Sequence, residues 1–156
     1  MNYENETTTT YDNTLDYVEY AGFWIRFGAA IIDGVVLVIP LMILSLIFTG
    51  SLSMLDSAEE ASLTALIVYL AYLVGVLLYF VLLTSGPSQG TLGKMMVGIK
   101  VVDRFGEPIS KGRSFGRFFS YYLSGLFLNI GYIIAGFTPK KQALHDYIVS
   151  TYVVKR

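Results

Sequence analysis

The chain has 156 residues, of which 54% are hydrophobic and 15% aromatic, and its formal net charge is −1. This length predicts one domain, and the apolar content indicates a membrane protein rather than a soluble globule. The absence of cysteine excludes disulfides and thiolate chemistry, and a single histidine, His145, excludes a histidine-rich metal site. We expect no enzymatic activity, cofactor, bound metal or nucleic-acid partner, because no nucleophile motif is present and the bases are interspersed with apolar residues.

The N-terminal segment is polar and acidic, with five acids and no base in its first 19 residues. Such a composition buries too little apolar surface to fold alone, so we predict a disordered tail over residues 1–19. The segment also lacks the basic start of a cleavable signal peptide. Residues 20–156 are assigned to a single membrane domain.

An almost uninterrupted apolar run from Phe23 to about Phe48 is the first predicted membrane span. As a helix it would measure ~39 Å at 1.5 Å per residue, which exceeds the ~30 Å hydrocarbon core and allows a tilt. Pro40 removes one backbone donor and predicts a kink in the second half of the span. Two ionisable residues, Arg26 and Asp33, interrupt the run and are the first candidates for function.

A second predicted span, from Leu63 to about Leu83, carries no charge. The link before it, residues 49–62, holds three acids and no base, whereas residues 85–114 hold five bases. Loops rich in lysine and arginine stay in the cytoplasm. The sequence therefore predicts a cytoplasmic N-terminus, an external link and a cytoplasmic segment after the second span.

Tyrosines recur along one face of the second span, at positions 69, 72 and 79. This spacing predicts a helix-packing seam. The tyrosine hydroxyls of such a seam are available as partners for buried polar groups.

Two short runs have the composition of β-strands. The first, Val97–Val102, is followed by a turn sequence, Asp103–Gly106, and the second, Tyr147–Val154, lies close to the end of the chain. We predict that the two runs pair in a small sheet at the cytoplasmic face of the membrane.

The third apolar stretch, Phe118–Phe137, contains serine, asparagine and glycine residues. A single crossing would put the four bases that follow it outside the cell and would separate the two strands by a membrane. A re-entrant helical hairpin that breaks near Asn129–Gly131 avoids both problems. We favour the hairpin, or an interfacial helix pair, and keep a third span as the alternative. The predicted fold class is an all-α membrane protein with two transmembrane helices, a third apolar segment and a small cytoplasmic β-sheet.

The two charges in the first span differ in their expected environments. Arg26 and Asp33 are seven residues apart, so they lie on the same helix face, ~10.5 Å apart along the axis. Ala29 and Ala30 lie between them, and small residues let a neighbouring helix approach. Arg26 is close enough to the helix end to extend toward the headgroups. Asp33 is ~10 Å into the span, where a carboxylate must be protonated, ion-paired or bound to a cation.

Three segments carry motifs of a known family: Gly22–Phe27 with Ile32-Asp33, Thr91–Asp103, and Lys141–Asp146. They resemble the RDD family of bacterial membrane proteins, which is named for one arginine and two aspartates. The arginine matches Arg26, the first aspartate matches Asp33, and the second is best matched to Asp146. The resemblance covers roughly residues 20–155, with the motifs in the expected order.

The resemblance implies a multi-pass protein of the bacterial cytoplasmic membrane with a suggested role in transport, and cation/proton antiport has been attributed to some members. If the C-terminal segment is cytoplasmic, Asp146 can meet Arg26 at the inner membrane surface. We expect a functional charge cluster of Arg26, Asp33 and Asp146, in which Arg26 bridges the two aspartates. Lys94 and His145 are expected at its rim.

Two functions follow from this cluster. The first is a transporter, or a transporter subunit, that moves protons or monovalent cations with Asp33 as the exchangeable carboxylate. The second is a scaffold or accessory protein in which the cluster is a structural lock. Membrane lipids are the expected partners, and Lys94, Lys100 and Arg113 are weaker candidates for binding headgroups. A pathway in so short a chain would need a homo-oligomer.

Overall fold

The computed structural model describes residues 18–49, 63–126 and 138–156. Within these ranges the chain is mostly helical and has one small sheet, as predicted. The two long helices come first in the chain, and shorter elements pack against them. In chain order the elements are α1 (Phe23–Thr49), α2 (Leu63–Ser85), α3 (Leu92–Met96), β1 (Ile99–Val102), α4 (Lys111–Leu126), α5 (Leu144–Ile148) and β2 (Tyr152–Lys155).

Helices α1 and α2 are long and apolar enough to cross a bilayer, over Phe23–Phe48 and Leu66–Ser85. Their bounds agree closely with the two apolar runs, because a helix satisfies the backbone groups of a lipid-facing segment internally, even where it contains glycine or Pro40. Many of their large apolar side chains are exposed, for example Ile39 at 53% and Ile67 at 58%. Such exposure is unfavourable in water and favourable against lipid, so it supports a membrane environment.

Helix α1 continues through Pro40, and α2 supports it near that point. Tyr72 on α2 donates its hydroxyl to the Leu37 carbonyl at 2.9 Å. A proline inside a membrane helix frees backbone carbonyls in the preceding turn, and side chains of neighbouring helices commonly bond such groups. The bond uses one of the tyrosines of the packing seam.

Strands β1 and β2 pair antiparallel, with Val101 opposite Val153 and Val102 opposite Tyr152. The predicted pairing of the two runs is therefore confirmed, while its cytoplasmic location stays a prediction. Side chains alternate between the two faces of the sheet. One face joins a core with Ala21, Ala29 and Ile109, and the other packs against Val18 and Tyr20.

Both strands are shorter than predicted, because the apolar runs that contain them begin in helices. Val97 ends α3, and Gly98 adopts a φ of 72° before β1 begins. Tyr147 belongs to α5, after which the Thr151 N–H donates to the Asp146 carbonyl at 2.9 Å. These local turns outweigh the strand propensity of valine and isoleucine.

The outer edge of β2 is covered by residues that precede α1. The Ala21 N–H donates to the Val153 carbonyl at 2.8 Å, and the Lys155 N–H donates to the Glu19 carbonyl at 2.9 Å. Glu19 is thus part of the fold, although the sequence assigns it to the tail. These hydrogen bonds satisfy backbone N–H and carbonyl groups of β2 that would be unpaired at an open sheet edge.

Helix α4 begins at Lys111, upstream of the predicted start at Phe118, and ends at Leu126. Its buried face carries polar side chains, among them Arg117, so the apolar stretch alone does not define the helix. The remainder of the stretch, including the predicted break near Asn129–Gly131, lies outside the described residues, as do most of the tail and the link between α1 and α2. The hairpin and the third span both stay predictions.

Candidate functional site

Asp146, on the short helix α5, is completely buried at the centre of a charged network. Arg117 on α4 places Nη2 2.6 Å from Asp146 Oδ1, and Arg26 on α1 donates from Nη1 to Asp146 Oδ2. The Ala143 N–H also donates to Oδ2, at 3.1 Å, so the carboxylate caps α5 as well as neutralising two arginines. We call Asp146, Arg26 and Arg117 the Asp146 lock.

The two arginines extend this lock to other segments. Arg26 donates from Nε to the Ala21 carbonyl at 2.9 Å and from Nη2 to the Lys141 carbonyl at 2.6 Å. Arg117 donates from Nη1 to Thr151 Oγ1 at 2.9 Å. The lock therefore joins the starts of α1 and β2 to α4 and α5, and its planar guanidinium groups suit several fixed acceptors at once.

The electrostatics of the lock keep its carboxylate ionised. Burial alone would raise the pKa of Asp146, but the guanidinium groups of Arg117 and Arg26 outweigh burial and lower that pKa below its ordinary range. His145 lies beside the carboxylate, with Nε2 3.5 Å from Asp146 Oδ1. Burial lowers the pKa of His145 to about 3, so its imidazole is neutral at physiological pH.

Asp33 is the centre of a second cluster. Its Oδ1 accepts hydrogen bonds from the Tyr79 hydroxyl at 2.7 Å and the Gly93 N–H at 2.8 Å, and its Oδ2 accepts one from Thr91 Oγ1 at 2.5 Å. Thr91 is the N-cap residue of α3, yet its hydroxyl makes no bond within α3. Asp33 on α1 therefore supplies the capping oxygen that α3 lacks.

The contact between α3 and α1 requires glycine at position 93. A Cβ atom there would lie 2.1 Å from the Ala29 carbonyl oxygen and 2.9 Å from Asp33 Cγ. The two helices thus meet backbone to backbone. Helix α2 also bonds the start of α3, because the Leu92 N–H donates to the Tyr79 hydroxyl at 3.0 Å.

The structure divides the predicted charge cluster into two parts. The sequence predicts that Arg26 bridges Asp146 and Asp33, but within the described ranges Arg26 pairs with Asp146 and no ion pair joins it to Asp33. Helical side chains lean toward the N-terminus. Arg26 follows that direction to the Ala21 carbonyl, away from Asp33.

The two clusters border one cavity of about 280 Å³. Its lining includes Arg26, Asp33, Lys94, Arg117 and His145, together with the phenol of Tyr121, while Asp146 is not among the lining residues. Most of the remaining wall is apolar and comes from α1, α2 and α4. Four of the five site residues predicted from the sequence thus face the same space.

Lys94 on α3 is the group at this cavity whose charge is most easily changed. Its side chain is partly buried, and its amine makes no hydrogen bond or ion pair with the residues described. Burial lowers the pKa of Lys94 to about 7, Arg117 adds to this effect, and Asp33 and Asp146 oppose it. The amine therefore gains or loses its proton near neutral pH.

Sequence reasoning overlooks three residues of these clusters, namely Arg117, Thr91 and Gly93. Arg117 directly precedes the third apolar stretch, much as Arg26 stands near the start of the first, and that parallel is a signal available in the sequence. Thr91 and Gly93 lie inside a family motif, but only the packing of α3 against α1 gives them a role.

Comparisons with known proteins identify the family. The RDD family model matches residues 20–150. Among curated relatives, the uncharacterised protein YxaI of Bacillus subtilis (strain 168) is 41% identical over 86% of this chain and 96% of its own. The uncharacterised membrane protein YteJ of the same strain is 37% identical, over 86% and 80%. The uncharacterised protein YckC is 31% identical, over 85% and 83%.

No solved structure matches the chain significantly. The family assignment therefore rests on sequence similarity along most of the chain, from Tyr20 to Ser150, just before β2. The motifs that carry Arg26, Asp33, Lys94 and Asp146 all lie within the matched range. The chain belongs to the RDD family of membrane proteins.

Proposed function

We propose that this protein exchanges protons for monovalent cations across the membrane, with Lys94 releasing the proton and Asp33 attracting the cation. The observation that carries the proposal is the Lys94 amine, which lines a cavity shared with Asp33 and has no partner among the described residues. A cavity bordered by two apolar helices and holding ionisable groups is typical of ion pathways.

The charges around Lys94 favour a one-for-one exchange. Two arginines offset two aspartates, so a protonated Lys94 leaves one surplus positive charge and a neutral Lys94 leaves none. A cation that enters as the proton leaves keeps the total charge constant, which avoids a large electrostatic change at low dielectric. The groups that face Lys94 are Arg26 and Asp33 from α1 and Arg117 from α4, together with two groups from α5. These two are the imidazole of His145, which is neutral, and the carboxylate of Asp146, which is ionised.

The Asp146 lock has a structural role in this mechanism. Both of its carboxylate oxygens are engaged by arginines, and the pKa of Asp146 lies well below neutrality, so it exchanges no proton at physiological pH. Asp33 accepts three hydrogen bonds and lines the cavity beside Lys94, so we assign it to attracting the cation. The exchanged proton is assigned to Lys94, whereas the sequence alone favours Asp33.

Lys94→Gln is expected to abolish exchange, because an amide cannot carry the proton. The protein is reconstituted in vesicles that contain a pH-sensitive dye, and an inward Na⁺ or K⁺ gradient is imposed. Wild-type vesicles should become alkaline inside, whereas Lys94→Gln and Asp33→Asn vesicles should not. Lys111→Gln, which alters an exposed lysine outside the cavity lining, is the matched control and should behave as wild type.

The unfolding temperature of each variant shows whether a loss of exchange is caused by a loss of structure. Lys94→Gln should unfold at the wild-type temperature, since no described residue loses a partner. Equal rates of internal alkalinisation in wild-type and Lys94→Gln vesicles would show that Lys94 takes no part in exchange.

The accessory or scaffold role is the second candidate. It is favoured by the Asp146 lock, in which buried arginines join several segments of the domain. A scaffold needs this stability but no change of protonation at Lys94. Wild-type vesicles that produce no cation-driven pH change would favour this role over exchange.

A further inference from the structure

The cavity beside Lys94 combines a charged lining with a largely apolar wall. Leu37, Val76, Phe80 and Phe118 belong to that wall, and they come from α1, α2 and α4. Monovalent cations and protons make no use of apolar side chains. The composition of the wall therefore fits a ligand that has a hydrocarbon portion as well as a charge.

The charge of the cavity selects the sign and valence of such a ligand. When Lys94 is protonated, it adds to the charges of Arg26 and Arg117, which pair with Asp146, and Asp33 is the other carboxylate. Three positive charges then stand against two negative ones, so one is uncompensated. A monoanion neutralises that charge, and a buried charge without a counter-ion is unfavourable. A dianion such as phosphate would replace the surplus positive charge with a negative one.

The volume indicates the size of ligand that the cavity can surround. At ~30 Å³ for each water-sized group, a cavity of about 280 Å³ holds on the order of nine such groups. A carboxylic acid of about six carbons has that size. It is ionised at neutral pH, because carboxyl pKa values lie near ~4.

We infer that this cavity binds a small monocarboxylate with a short alkyl chain, its carboxylate at the Lys94 amine and its chain against Phe80 and Phe118. The site goes beyond cation exchange and does not depend on it, because it requires only the protonated amine and the apolar wall. An anion in this position occupies the space that a cation would need.

Binding of the carboxylate has a defined pH dependence. The anion stabilises the charged form of Lys94, whose pKa is about 7, so affinity falls as the pH rises through that value. The charged and titratable groups that face the amine are Arg26 and Asp33 on α1, Arg117 on α4, and His145 and Asp146 on α5. The pKa values of His145 and Asp146 lie far below neutrality, so neither group changes its charge near neutral pH.

Equilibrium dialysis of radiolabelled hexanoate against the full protein in lipid nanodiscs tests the site. Empty nanodiscs give the background from the lipid. At about pH 6 we expect saturable binding to wild type, binding weakened by roughly tenfold or more in Lys94→Gln, and wild-type binding in Lys111→Gln. Ala30→Leu, which fills the cavity without changing a charge, should also lose binding. At about pH 8 wild-type affinity should fall.

The other outcomes are equally definite. No saturable binding to wild type, equal binding to Lys94→Gln, or acetate competing as well as hexanoate would overturn the site. Palmitate, whose chain is much longer than this cavity holds, should not compete, and its competing as well as hexanoate would also overturn the site. Because the experiment uses no ion gradient, its result is independent of whether the protein exchanges cations.

Discussion

Replacing Asp146 with asparagine is expected to lower the free energy of unfolding by about 3–5 kcal/mol, because it leaves two buried guanidinium groups without their anion. Removing one member of a buried ion pair is far more harmful than removing an exposed one. Denaturant unfolding in mixed micelles measures the change. In the wild type, the ionised carboxylate contributes fully to the free energy of unfolding above its unfolded pKa of ~3.9. This contribution is lost only as the pH falls toward the lower pKa of the folded state.

The control for Asp146→Asn is an exposed ion pair. Glu19 and Lys155 form a salt bridge on the surface, with the Glu19 side chain 66% exposed. Glu19→Gln should leave the unfolding midpoint unchanged within error, because water solvates either partner. Combining Asp146→Asn with Arg26→Gln should cost less than the sum of the two single changes. Equal effects of Asp146→Asn and Glu19→Gln would contradict a structural lock.

Gly93→Ala is the second large expected effect, and it acts through geometry rather than charge. The added methyl group would lie 2.1 Å from the Ala29 carbonyl oxygen, a backbone atom that cannot rotate away. Helix α3 must then move from α1, and Asp33 loses its bond from the residue 93 N–H. We expect a loss of about 1–3 kcal/mol or more, measured by the same unfolding experiment.

Gly112→Ala provides the matched control for Gly93→Ala. Gly112 lies near the start of α4, and an added Cβ there would have no neighbouring atom within 4 Å. Alanine is also the better helix former, by ~1 kcal/mol. The variant should therefore be as stable as wild type or slightly more stable. Equal stability of Gly93→Ala and wild type would mean that α3 does not pack on α1 as described.

Local composition predicts much of this fold. The two apolar runs define α1 and α2 because a segment without charges, apart from Arg26 and Asp33, has few alternatives to a buried or lipid-facing helix. The β-branched composition of the runs around positions 101 and 153 is enough to predict the sheet. These elements depend on residues that are close together in the sequence, and so they can be predicted from it.

The site is less visible, because its contacts join residues that are far apart in the chain. Asp33 meets Thr91 and Gly93, and Arg117 meets Asp146, only when α3 and α5 dock beside α1 and α4. The family resemblance identifies Arg26, Asp33 and Asp146 but not their pairing. The direction in which the Arg26 side chain leans then decides that it joins Asp146 rather than Asp33.

The charges of this domain have different roles. Arg26, Arg117 and Asp146 hold the segments together, whereas Lys94 and Asp33 line the cavity, where a change of protonation at Lys94 alters the total charge. In the proposed exchange the Lys94 proton leaves as a cation enters.

Proton release on cation binding tests this claim most directly, measured with a pH dye in weakly buffered micelles of the purified protein. With a Lys94 pKa of about 7, wild type should release about one proton per bound cation at about pH 6, about half a proton at pH 7, and none at about pH 9. Lys94→Gln should release none at any of these values. Cation binding by wild type without proton release at pH 6, or equal release from Lys94→Gln, would contradict the account.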